Sequence, residues 1–251
     1  ILFGGKDITS LSRREMKHYS RQMQIIFQDP YSSLNPRMSV QELIAEPLLV
    51  NKILPKTDVY DETRRLMDMM GLARRLEGYY PHELDGGRRQ RIGLARTLAL
   101  KPMFIVCDEP VSALDVSIQA QILNLLMDLQ DEMNLTYMFI THDLSVVKHI
   151  SSEIAVMYLG MCIEKASSAD LFANPVHPYT KILLDAIPVP DPRLRKKKKE
   201  IIRGEVKSPI NPSPGCRFAA RCPFVTEKCI IETPQLKTVG NGHQCACHLN
   251  K

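Results

Sequence analysis

The 251-residue chain predicts an α/β fold: a mostly parallel sheet flanked by helices, a helical subdomain, and a Pro- and Cys-rich C-terminal extension. Three observations carry this reading. Residues 103–107 ("MFIVC") form an apolar run of strand length, residues 117–133 spell a long amphipathic helix, and "TYMFITHD" is a second apolar run. Strand, helix, strand in that order is a crossover unit, which requires parallel pairing. From about Val40 to Leu76 the apolar residues Leu43, Ile44, Leu48, Leu66, Met69 and Met70 fall at helical spacing. Beyond residue 172 the texture changes, with prolines at 175, 178, 188, 190, 192, 209, 212 and 214 and five of the seven cysteines after residue 215.

The remaining elements follow in chain order. Residues 1–10 ("ILFGGKDITS") read as a strand end, a Gly turn and a second short extended piece. Ser12 with Glu15 fits a capping box that opens a short polar helix through about Tyr19. "MQIIFQ" (23–28) is a strand, stopped by the turn-rich "DPYSSLNP". A helix from about Gly87 to Leu100 leads into the strand at 103–107. "IAVMYLG" and "CIEKA" form a hairpin around Gly160. No internal repeat is present.

Composition narrows the class. With 44% hydrophobic and 24% charged residues, the chain can bury a sizeable core as one or two domains. No apolar run approaches the roughly 18 residues of a membrane span, and no charged-then-apolar opening resembles a signal peptide, so a cytoplasmic location is expected. The net charge of +5 is mild and much of it lies in "RKKKK" (195–199). That run reads as a solvated loop, so no nucleic-acid partner is expected.

The chemistry concentrates at strand ends. Asp108 and Glu109 leave the buried strand together, at the edge where open α/β sheets bind ligands. Taken alone, the pair could simply end a strand. Two further strand ends change the weighing: Gln28 closes "MQIIFQ" and His142 closes "TYMFITH". Hydrolysis of a phosphoanhydride takes magnesium, a positioned water and donors aimed at the developing charge. Asp108 suits the metal, Glu109 the water, and Gln28 an amide ligand. Gly86 and Gly87 precede a helix, where bare backbone N–H groups and the positive helix end attract anions. Asp115, in "SALD", stands just before the next helix.

The order Gln28 loop, "LDGGRRQ", "VCDEP", "SALD", "THD" resembles the ATP-binding subunits of ATP-binding cassette (ABC) transporters. The tail, "NPVHPYTKILLDAIP" (174–188) followed by "GCRFAARCPF", is similar to the C-terminal region of oligopeptide and dipeptide importer ATPases. The likeness spans almost the whole chain. It implies an ABC-type nucleotide-binding domain. Residues 1–28 would be a remnant of its N-terminal nucleotide-binding core, 29–100 a helical subdomain with the signature motif, 101–170 the catalytic core, and 171–251 the importer extension. It also implies ATP and Mg2+ as cofactors, Asp108 on the magnesium side, Glu109 as catalytic base, His142 as γ-phosphate switch and Gln28 as sensor of magnesium and of the membrane domain. Asp115 would speak across a dimer of two ATPase subunits, and the Gly86–Gly87 turn would touch ATP held by the other subunit. The partners implied are a homologous second ATPase subunit, not necessarily identical, two membrane-spanning permease subunits whose short helix enters a groove formed by Gln28 and residues 29–80, and indirectly an extracellular peptide-binding protein. The location implied is peripheral, on the cytoplasmic face of the membrane.

Departures from the family pattern matter too. The signature normally carries Ser where this chain has Asp85, and Gln where it has Arg88. A hydroxyl donates to phosphate, whereas a carboxylate repels it. No glycine begins a GxxxxGK[ST] phosphate loop, and "GGKD" (4–7) is a decoy. The family places that loop upstream of the segment that Ile1 begins. The expectation is therefore an N-terminally truncated chain that neither binds ATP tightly nor hydrolyses it alone.

Seven cysteines cannot all pair within one chain. Cys216, Cys222, Cys229, Cys245 and Cys247 fall within 32 residues, without the CxxC pairs of a zinc ribbon. Free thiols, zinc and an iron–sulfur cluster with four thiolate ligands all remain open from the residues themselves. The resemblance implies a four-iron four-sulfur cluster held by Cys216, Cys222, Cys229 and Cys247, with zinc as the alternative. Cys245 is spare because the family's last Cys precedes His-Leu, as in "CHL". Cys107 and Cys162 fit strand interiors. Two rival readings accompany the transporter ATPase: a non-catalytic metal-binding or regulatory remnant of such a subunit, and a soluble ABC-type ATPase of translation or DNA repair, against which the "HPY" segment and the Cys-rich tail argue.

Overall fold

The computed structural model describes residues 1–29, 31–187, 210–212 and 214–250. The basic run at 195–199 and the prolines at 188, 190, 192 and 209 lie outside the described residues. The chain forms two compact units, Ile1–His142 and Asp143–Lys251.

The first unit opens with a hairpin, β1 (Leu2–Phe3) against β2 (Lys6–Asp7). Gly4 and Gly5 turn it at φ +55° and +80°, which only glycine adopts freely. Helix α1 (Arg13–Gln22) begins at the expected Ser12–Glu15 capping box and runs directly into β3 (Met23–Ile26). Helices α2 (Val40–Asn51), α3 (Val59–Met69) and α4 (Gly86–Leu98) then form a helical layer. Ser39 and Glu42 supply a second capping box, at the start of α2. The layer buries Leu43, Ile44, Leu48, Leu66, Met67, Met70, Ile92, Leu94 and Leu98.

Strand β4 (Phe104–Asp108), helix α5 (Val116–Met133) and strand β5 (Thr136–Ile140) are the predicted crossover unit. The sheet is parallel throughout, in the order β3-β4-β5, with Met23 opposite Phe104 and Phe104 opposite Thr136. Parallel register brings the C-terminal ends of all three strands to one edge. Ile105 and Cys107 point into the core, and α5 buries Ile122, Leu126 and Leu129. On the opposite face Ile25, Met138 and Ile140 are exposed.

The second unit holds α6 (Leu144–Ile150), β6 (Glu153–Tyr158), β7 (Met161–Ser167), α7 (Ser168–Ala173), α8 (Pro178–Asp185), α9 (Glu227–Ile231), β8 (Lys237–Gly240) and β9 (His243–Cys245). Its antiparallel sheet runs β6-β7-β9-β8. The hairpin around Gly160, which the sequence groups with residues 101–170, thus shares a sheet with the tail. β7 still has a free edge after pairing with β6, and β9 occupies it. Phe218, 1% exposed, plugs the core formed by Ile154, Val156, Tyr158, Ile163, Leu171 and Ile182, with its ring 5.3 Å from Tyr158 and 5.4 Å from Tyr179. Strands β8 and β9 escape sequence reading because "KTVG" and "HQC" are short and polar.

No helix among the described residues is long and apolar enough to cross a membrane.

Candidate functional site

Three strand ends meet on one carboxylate. Glu109 Oε2 accepts a 2.7 Å hydrogen bond from Gln28 Nε2, just beyond β3. Glu109 Oε1 lies 3.0 Å from His142 Nδ1, two residues past β5. A carboxylate can only accept, so Nδ1 carries the proton. The His142 contact, foremost, with the bond from Gln28, holds the Glu109 carboxyl below its ordinary value. Glu109 is therefore an anion at neutral pH, with each oxygen keeping a free lone pair.

The backbone aims this group. Glu109 N–H donates to the Ile140 carbonyl at 2.9 Å, which prolongs the β4–β5 ladder by one rung. Its φ of +46° lies in the left-handed region, uncommon for a residue with a Cβ. Such strain persists where surrounding structure imposes it, often at functional sites. Here Ser112 N–H and Oγ both donate to the Glu109 carbonyl, and Pro110 and Val111 are buried behind it. The side chains of His142 and Glu109 are 75% and 23% exposed, so the carboxylate is reachable from solvent. Asp108, half-buried at the end of β4, stands beside it.

The start of α4 is organised differently from the bare anion site that the sequence suggests. Asp85 is its N-cap: Oδ1 accepts from Arg88 N–H at 2.8 Å, and Oδ2 lies 3.4 Å from Arg88 Nε. The helix terminus thus carries its own carboxylate. Gly87 is buried, and a Cβ there would sit 2.8 Å from Ile118 Cγ2 on α5. Close helix packing alone accounts for that glycine. Gly86 is half-buried, with room beside Leu114 only for a tight Cβ at 3.0 Å. Asp115 caps α5 by position, makes no side-chain cap bond and is exposed.

In the second unit Cys216, Cys222, Cys229 and Cys247 line one narrow pocket of about 10 Å3, together with His177, Phe224, His248 and Leu249. Cys245 is buried next to β7 instead, opposite Glu164, and burial pushes its thiol up to about 12. Burial, foremost, also raises the thiols of Cys216, Cys222 and Cys247, and the neighbouring thiols add to the effect at each. Among the described residues, no three His, Cys, Asp or Glu side chains are arranged to hold a single metal ion. Cys107 is a core thiol pushed up to about 12 by burial.

His177 explains part of the "HPY" segment. Its Nδ1 accepts from Tyr179 N–H at 3.0 Å as the N-cap of α8, Pro178 fills the first helical position, and Tyr179 packs on Tyr158. Burial pushes the His177 ring down to about 4, so it is neutral. The fully buried Glu164 and its partner His243 were missed from sequence. The available signal was the alternation Cys162, Glu164, Ala166, which puts a charge on an otherwise apolar strand face.

A parallel sheet whose strand ends deliver an amide, two carboxylates and a histidine to one edge, beside a helical layer, defines a nucleotide-hydrolase class of protein. Comparison with known proteins makes the class specific. The ABC transporter family matches residues 1–112, and the oligopeptide/dipeptide transporter C-terminal region matches residues 163–229. A Brucella ovis relative named as a peptide import ATP-binding protein is 50% identical over 247 residues, covering 98% of this chain and 78% of its own length. The oligopeptide transport ATP-binding protein AppF of Bacillus subtilis is 47% identical over 251 residues, covering 99% and 76%. Among solved structures, cbiO1 of Clostridium perfringens, part of the ABC transporter complex cbiONQ, aligns with a TM-score of 0.62 at 27% identity, over 72% of this chain and 69% of that one. A dimeric ATP-binding cassette in a post-hydrolysis state with ADP and Pi aligns with a TM-score of 0.58 at 25% identity, over 66% and 72%. The chain belongs to the ATP-binding subunits of ABC transporters.

Proposed function

We propose that this chain is the ATPase subunit that couples ATP hydrolysis to peptide import, with Glu109 as the base of the reaction. The observation that carries the reading is the pair of hydrogen bonds fixing Glu109 from Gln28 and His142. Glu109 would take the proton of the attacking water on a free lone pair. His142, anchored through Nδ1–H, would donate from Nε2 to a phosphate oxygen as the imidazolium, the form with a proton on both ring nitrogens, and Gln28 reports on the site from the segment that leads into the helical layer. Asp108 would hold magnesium, which supplies charge neutralisation at the phosphoanhydride. The half-buried Gly86 and the backbone N–H groups of the Gly86–Gly87 turn would face nucleotide held by a second, homologous ATPase subunit, with Arg88 offsetting part of the Asp85 charge and Asp115 lying across the dimer.

The partners that fit this role are two permease subunits and, outside the membrane, a peptide-binding protein; the location is the cytoplasmic face. A cavity of about 200 Å3 between β3, α2 and α4, lined by Phe27, Ser33, Pro47, Gln90 and Arg96, favours this region as the seat of a permease helix. The test is the assembled transporter in vesicles. Glu109→Gln should abolish ATP turnover and peptide uptake while nucleotide binding persists; unchanged turnover refutes the assignment.

A second reading concerns the thiol pocket, and the shared lining by four cysteines favours it. Four thiolates around one zinc stand only about 3.8 Å apart, given a Zn–S distance of ~2.3 Å in a tetrahedral site. The absence of a single-ion arrangement among the described residues speaks against zinc. A four-iron cluster gives each thiolate its own iron and tolerates wider spacing. Room for it requires the exposed walls Phe224 and Leu249 to move outward. Anaerobically purified protein should then be brown with about four irons per chain; colourless, metal-free protein under the same conditions overturns the reading.

A further inference from the structure

Glu164 on β7 is a carboxylate with no solvent exposure. A charge so placed is tolerated only when its oxygens are fully engaged by donors. Oε1 accepts from Val176 N–H at 2.7 Å and from His243 Nε2 at 2.7 Å; Oε2 accepts from His177 N–H at 3.0 Å. The donors arrive from the turn that enters α8 and from β9, 12, 13 and 79 residues away in sequence.

Both segments lead to the thiol pocket. Strand β9 runs on from His243 through Cys245, which faces Glu164 in the ladder, and Ala246 N–H donates to the Ile163 carbonyl at 2.8 Å. The next residue is Cys247. His177, whose N–H the clamp holds, lines the same pocket. The other three cysteines are carried separately, on the segment anchored by Phe218 and closed by the bond from Cys216 N–H to the Cys229 carbonyl at 2.7 Å. The pocket is thus assembled from two pieces of chain, which also meet where His248 Nε2 donates to the Glu232 carbonyl at 2.8 Å.

We propose that Glu164 is the positioning residue of the thiol pocket: by gripping His243 and the Val176–His177 turn together, it sets where Cys247 stands against Cys216, Cys222 and Cys229. Its role toward a bound cluster rests on the metal reading above; its role in placing Cys247 does not. Polar groups that orient metal ligands from behind typically change metal affinity by roughly 10–100-fold when removed. His243→Gln keeps an N–H donor for Glu164 and should preserve the clamp, whereas His243→Leu and Glu164→Gln should break it.

The experiment uses the full chain in two forms. In metal-free protein, the alkylation rate of each cysteine is read by mass spectrometry. In protein reconstituted with ferrous iron and sulfide, iron content and the electron paramagnetic resonance spectrum are read. Glu164→Gln and His243→Leu should speed labelling of Cys247 while leaving Cys216 and Cys222 near wild type, lower iron retention by roughly 10–100-fold, and alter the spectrum; His243→Gln should restore all three. Equal labelling of all four cysteines in the broken variants, or a His243→Gln variant as impaired as His243→Leu, overturns the proposal. If wild-type protein takes up no iron yet Cys247 is selectively released, the clamp stands and the metal reading falls. If wild-type and Glu164→Gln proteins retain iron equally with one spectrum, the metal reading stands and the clamp falls.

Discussion

Replacing Gly87 by Ala separates packing from chemistry at the start of α4. The added Cβ would lie 2.8 Å from Ile118 Cγ2, against an optimum of roughly 3.5–4.0 Å for two carbons, so α4 and α5 must part locally by about 0.7–1.2 Å. Overpacking of this kind costs about 1–3 kcal/mol. Ala exceeds Gly in helix propensity by about 0.8–1.0 kcal/mol, so the net effect is a loss of up to ~2 kcal/mol. The same helix holds its own control. Gly93 has nothing within 4 Å of a Cβ, and Gly93→Ala should stabilise by about 0.5–1 kcal/mol. Urea unfolding followed by far-ultraviolet circular dichroism reads both. Ile118→Ala removes the clashing methyl, so combining it with Gly87→Ala should recover the propensity gain, a coupling that a double-mutant cycle measures. If Gly87→Ala stabilises as much as Gly93→Ala, the helices do not approach as described, and the glycine must be explained by its N–H group instead.

Other perturbations have equally definite outcomes. In the assembled transporter, Glu109→Gln should lower the turnover number by about 10²–10⁴-fold with little change in nucleotide affinity, read by phosphate release. The hydrogen bonds to Glu109 favour its ionised form, so its folded value lies below the unfolded one. Whatever it contributes is present above the unfolded value and lost only as pH falls through the lowered one; His142→Ala should raise its titration midpoint toward the ordinary 4.5, measured by carbon NMR. Asp85→Ser removes the carboxylate from the α4 terminus and should tighten the transporter's apparent affinity for ATP, read from the substrate dependence of turnover. Phe218→Ala empties the centre of the second unit and should cost about 3–5 kcal/mol, a fall of more than about 10 °C in that unit's melting temperature by calorimetry. Met138→Thr with Ile140→Thr covers part of the exposed apolar sheet face and should reduce self-association in sedimentation runs.

Much of the first unit was legible because its signals are local or periodic. A crossover between two apolar runs forces parallel pairing, which sends Glu109 and His142 to one edge; the arrival of Gln28, 81 residues from Glu109, depends on the pairing of β3 with β4, which the crossover does not fix. The capping box at Ser12 and the hairpin turn at Gly4–Gly5 are written within a few residues. What could not be read depends on partners far away in sequence. The burial of Gly87 follows from how α4 crosses α5, and the Glu164–His243 pair spans 79 residues. The tail resembled a separate appendage because its strands are too short and polar to announce themselves. Only the free edge of β7 reveals where they go.

Gly215 illustrates what such an arrangement means for variation. It sits at φ +95°, and a Cβ there would come within 2.5 Å of the Cys229 carbonyl oxygen. The residue offers no ligand, no charge and no proton, yet every alternative side chain would wedge apart the backbone that brings Cys216 to Cys229. In a saturation screen its column should be as intolerant as those of the cysteines. Compensation would have to come from loosening the α9 turn, not from restoring a thiol. A survey of functional positions that counted only reactive side chains would pass over the residue on which the closure of that loop depends.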